Sequence, residues 1–125
     1  MSTGYPSWVV CARTDAAHLE RLAKRDLSYK WSVAAGNDGH VALFVYRSEP
    51  SFRFAQRLAA EVGEPVVLLN FDHDLYCADQ VRADGSEHRL AEKPATVLAA
   101  HGIAVPGDEP HVIHYAALAV GVERA

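Results

Sequence analysis

The densest run of reactive groups in this sequence is Asp72-His73-Asp74, set directly after the apolar stretch Val66 to Phe71. On a continuing strand, carboxylates at i and i+2 project to one side, with His73 on the other. Such a pair suits a hard cation, because Mg²⁺ takes one or two carboxylates and keeps water in the rest of its shell. A nearby histidine would then act as acid or base, giving a small metal-dependent enzyme built on Asp72 and Asp74. The competing reading is a polar turn, since Asp is depleted in strand interiors and common in turns. No other acidic motif is spaced to complete a metal site. Asp72, His73 and Asp74 are therefore candidate binding residues, and no metal is assigned to them.

A second pair, His111 and His114, forms HxxH. On a helix these positions share a face, so both rings could reach one ion. The zincin motif HExxH needs a glutamate base that is missing here. His101 or Asp108 would be the further ligand. The alternative is structural: His111 follows Glu109 in a first helical turn, and His114 flanks a packed stripe. Cys11 and Cys77 each sit in an apolar run and read as reduced core thiols. There is no CxxC for zinc or redox chemistry. Serine-hydrolase and nucleotide-binding glycine motifs are missing too, so no cofactor is expected. Tyr29 and Trp31 lie two residues apart near a strand start and share a face. They offer large area with a polar handle and so could recognise a partner, or they could be core residues with satisfied polar atoms.

The elements that must position these groups are set by periodicity and breakers. Trp8 to Ala12 is a β-branched, buried first strand. Asp15 caps an amphipathic helix carrying Ala16, Leu19, Ala23 and Leu27. Trp31 to Ala35 and His40 to Tyr46 flank Gly36-Asn37-Asp38-Gly39, which predicts an antiparallel hairpin. Neither face of the second of these strands is polar, which places it near the sheet centre. Ser48 is the expected cap of a second helix, with Pro50 in its first turn, an apolar stripe of Phe52, Ala55, Leu58, Ala59 and Val62, and Gly63 at its end. Val66 to Phe71 and Leu75 to Ala83 are further strands. Asp84-Gly85 turns the chain into a short return strand near Glu87 to Leu90. Pro94 opens a helix through about Ala100, and Asp108-Glu109-Pro110 opens another, with an edge strand over 112–122 as the alternative.

The expected fold is α+β, in the order β-α-β-β-α-β-β(-β)-α-α. A mainly antiparallel sheet carries two helices on one face, and two C-terminal helices cover a remaining apolar edge, loosely like a split β-α-β layout. The expected core is Val9, Val10, Leu19, Leu22, Val33, Leu43, Val45, Phe54, Leu58, Val62, Val67, Leu69, Phe71, Val81, Leu98 and Ile113.

Composition limits the function classes. The 125 residues are 50% apolar and 22% charged, which suits one folded domain over 1–125 and excludes wholesale disorder. Twelve basic against sixteen acidic residues leave a net charge of −4, the wrong balance for a nucleic-acid partner. Arg21, Lys24 and Arg25, the densest basic run, read as the solvated face of a helix. No leader or membrane-spanning run is seen, so a cytoplasmic location without a membrane partner is expected. The expectation for function is a non-catalytic binding module that neutralises or assists a protein partner. Its layout is similar in a general way to small bacterial immunity-type domains. The alternatives are a small metal-dependent enzyme using Asp72 and Asp74 or the His111/His114 pair, and a small-molecule sensor or carrier with a pocket between sheet and helices.

Overall fold

In the computed structural model, residues 6–28, 30–46, 50–71 and 76–104 are described. They form six strands and three helices: β1 (Trp8–Arg13), α1 (Ala16–Asp26), β2 (Trp31–Ala35), β3 (His40–Val45), α2 (Ser51–Val62), β4 (Val66–Asn70), β5 (Cys77–Val81), β6 (Glu87–Arg89) and α3 (Pro94–Ala100). The strands make one sheet in the order β2-β3-β1-β4-β5-β6, and every neighbouring pair is antiparallel. The fold is α+β, as the element pattern predicts. Its first four strands and two helices are a double split β-α-β arrangement, with β3 inserted between β1 and β2. β3 is interior but lies one strand from the edge, while β1 and β4 are the central pair. The return crossing of α2 to β4, on the far side of β1, moves the centre away from β3.

Alternation along the strands sorts side chains to two faces. Trp8, Val10 and Ala12 of β1 join Val41, Leu43 and Val45 of β3 under α1 and α2. Those helices contribute Leu19, Leu22 and Ala23, and Phe54, Ala55, Leu58 and Ala59. Val9, Cys11, Ala42, Phe44, Leu69 and Ala78 face the other way and pack with Val97, Leu98 and Ile103. α3 therefore covers the second face of the sheet rather than an edge.

Local chemistry explains most element ends. Asp15 accepts the His18 backbone N–H at 2.7 Å, and Lys24 and Arg25 complement the carbonyl end of α1. α2 begins later than expected. Pro50 occupies its N-cap in extended geometry, and its ring carries no acceptor for a side-chain cap bond. Ser48 lies outside the described residues. Gly63 ends α2 at φ +78°, where a side chain would be strained. β5 is shorter than Leu75 to Ala83, since the turn bonds Arg82 N–H to Ser86 O and Gly85 N–H to Arg82 O take over after Val81.

Val33, Val62 and Val67, expected in the core, are half-buried. Val33 lies on an edge strand and Val62 is the last residue of α2. Val67 faces the side where, among the described residues, a single seven-residue helix gives cover. Ile113 and the second C-terminal helix fall outside the described residues. Among those that are described, no helix is long and apolar enough to cross a membrane.

Candidate functional site: the uncharged edge strand β2

Among the described residues, the two edges of the sheet are built differently. β6 has three residues, Glu87, His88 and Arg89, all exposed and all bearing titratable side chains. Shortness and charge protect an edge against pairing with another chain. β2 has five residues, Trp31, Ser32, Val33, Ala34 and Ala35, and none is charged. Among the described residues its only strand neighbour is β3.

The hydrogen-bond phase of β2 follows from its two ends. Tyr46 N–H donates to Lys30 O at 2.9 Å, and Gly36 N–H donates to His40 O at 2.8 Å. Bonded and non-bonded pairs alternate along an antiparallel ladder. Even-numbered positions of β2 therefore bond to β3. Trp31, Val33 and Ala35 turn their N–H and C=O groups to the open side. Their side chains lie on the helix-covered face, where Trp31 and Val33 pack against the core. Ala34 packs on the opposite face, and Ser32 is exposed there.

The turn after β2 is held by the end of α3. Asn37 N–H donates to His101 O at 2.7 Å, and the His40 and His101 rings stack with centroids 3.8 Å apart. A Cβ on Gly36 would collide with the His101 carbonyl oxygen. Burial, with help from the neighbouring His40, holds the His101 imidazole below the usual histidine range, and Asp38 opposes this.

Of the candidate binding residues, only Trp31 is described. It is half-buried on β2 with its ring against the core, so its backbone, more than its ring, meets the open edge. Tyr29, Asp72, His73 and Asp74 lie outside the described residues, as do His111 and His114. Among the described residues, no group of three or more His, Cys, Asp or Glu is placed to hold a metal ion. Burial raises the Cys11 thiol to about 11, and burial together with the Asp79 carboxylate raises Cys77. Both stay protonated at neutral pH. Cys77 is half-buried, where a core position was expected.

A cleft of about 260 Å³ opens between the end of α1 and the start of α2, lined by Arg25, Arg53 and Arg57 with Asp26. Asp26 already accepts from Arg25 Nε at 3.1 Å and faces Arg57 Nη1 at 3.5 Å. The edge at β2 and this cleft were not singled out from sequence. The sequence signal for the edge is the contrast between the uncharged WSVAA and the charged EHR, which means little until both are known to be edges.

Comparison with family models, with curated proteins and with solved structures finds no match for this chain.

Proposed function

We propose that this chain is a non-catalytic binding module that docks a protein partner by strand addition at β2, and so neutralises or assists that partner. One observation carries the reading. An uncharged edge strand offers one N–H and one C=O to the open side at each of Trp31, Val33 and Ala35, while the opposite edge is short and charged. Strand addition draws affinity from main-chain hydrogen bonds and specificity from alternate side chains. The net charge of −4 favours a basic partner through long-range steering.

The test is affinity capture from native lysate with mass spectrometry, repeated with two variants. Val33→Pro removes an N–H that points to the open edge and leaves the bonds to β3 in place. It is expected to lose the captured partner, whereas His88→Lys on β6 keeps it. Equal capture by both variants overturns the edge reading.

A second reading, a carrier of a small anion, is favoured by the three arginines at the cleft between α1 and α2. The cleft is smaller than pockets that enclose drug-sized ligands. Arg53→Ala should abolish any thermal stabilisation by inorganic phosphate or citrate, and a wild-type chain that neither anion stabilises removes this reading.

A further inference from the structure

The side chains and flanking charges of β2 suit pairing with an identical strand. We propose that the strand it fits is a second copy of itself, with β2 pairing antiparallel to β2 of the copy about a two-fold axis at Val33. This rests on the docking reading above and deepens it.

Three features of the strand support the pairing. First, the outward-facing positions are 31, 33 and 35, placed evenly about Val33. An antiparallel copy in that register sets Val33 opposite Val33 and Trp31 opposite Ala35 at both ends. Every pair is then one in which two residues exchange both N–H···O bonds. A register shifted by one residue would set outward groups against inward ones. Second, the facing side chains match in size and polarity. Trp31 meets the small Ala35, Val33 meets Val33, and on the other face Ser32 meets Ala34, so no charge lies directly opposite its like. Third, the flanks are electrostatically complementary. Exposed Lys30 precedes the strand and exposed Asp38 follows it in the turn. The two-fold brings the Lys30 end of one copy beside the Asp38 turn of the other, twice. An isologous contact of this kind closes on itself and forms a dimer.

A five-residue edge buries less than a standard stable interface, and two copies of net charge −4 repel at long range, so the dimer is weak, depends on concentration and tightens as salt screens the repulsion. Self-pairing keeps the edge covered until a partner's strand displaces the copy.

The experiment is size-exclusion chromatography with light scattering on the full chain, from low micromolar to several hundred micromolar. The wild type is expected to pass from monomer to dimer over that range. Val33→Lys sets two ammonium groups opposite each other at the axis and should weaken dimerisation by about tenfold or more. Val33→Pro, which keeps the β3 bonds, should do the same, with circular dichroism confirming that each variant is folded. Val33→Cys should form an interchain disulfide on mild oxidation, since facing Cα atoms about 5.5 Å apart fit one. A wild type that stays monomeric throughout, or a dimer that both Val33→Lys and Val33→Pro leave intact, overturns the self-pairing. If a monomeric wild type captures a partner that Val33→Pro loses, self-pairing is refuted and the docking edge stands. If the chain is monomeric and capture is unaffected, both fall.

Discussion

Asp79 shows how a single charge is accommodated inside this sheet. It is 7% exposed, and among the described residues it is the buried charged group. Arg89 Nε donates to one of its oxygens at 2.6 Å from the facing position on β6, and the Cys77 thiol donates to the other at 3.8 Å. Asp79→Asn removes the charge and keeps the shape. Stability in urea should fall by about 1 kcal/mol or less, because Arg89 is exposed and solvent screens the pair. The same variant should move the thiol titration of Cys77 to lower pH, because the carboxylate that raises it is gone. An unchanged thiol midpoint would contradict this account. His101 gives a pH dependence of definite sign. Its folded value lies below the ordinary 6.5, so the unfolded chain binds more protons. Its contribution is present above pH 6.5 and is lost as pH falls through the folded value. Urea midpoints should therefore drop from pH 7.5 to pH 5.5, and His101→Gln should reduce that drop.

Among the elements, the contrast between two glycines separates space from backbone geometry. Gly63 has φ +78° and nothing within 4 Å of a built Cβ, so Gly63→Ala should cost about 1 kcal/mol through conformation alone. At Gly36 the obstacle is the carbonyl of His101, and Gly36→Ala should cost about 2–3 kcal/mol because turn and helix end must part. Equal losses at the two sites would show that the contact is not tight. Gly63 was readable from sequence as a helix end, because the cap is set by residues adjacent in the chain. The role of Gly36 was readable only as hairpin chemistry, since its other constraint comes from α3. The ends of α1, the β2–β3 hairpin and the Asp84-Gly85 turn were legible for the same local reason. Which strand became an edge was not, because that depends on where α2 returns the chain. The half-burial of Val33 follows from this, and so does the uncharged edge at β2. α1 and α2 are also joined by polar contacts: Glu61 faces His18 Nε2 at 3.4 Å and Arg25 Nη1 at 3.8 Å. These are partly exposed pairs and set the helices' alignment more than their stability.

At the scale of the whole molecule, β1 joins the two hydrophobic clusters. Trp8, Val10 and Ala12 serve the side under α1 and α2, while Val9 and Cys11 serve the side under α3. The clusters should therefore melt together. Leu98→Ala, a fully buried truncation on the α3 side, should cost about 2–5 kcal/mol. Fluorescence from Trp8 and Trp31 on the other side should shift its midpoint by the same amount as far-UV circular dichroism. Separate midpoints would mean that the two sides unfold independently. The central place of β1 also bears on biosynthesis. Its hydrogen-bonding neighbours are β3 and β4, both reached only after α1 or α2 has been made. On the ribosome, the apolar stretch from Trp8 to Ala12 emerges before either of these strands and waits for both flanks. Pausing within α2 would prolong the interval in which this stretch is open to a chaperone, and a chain released there would lack the strand that completes its centre.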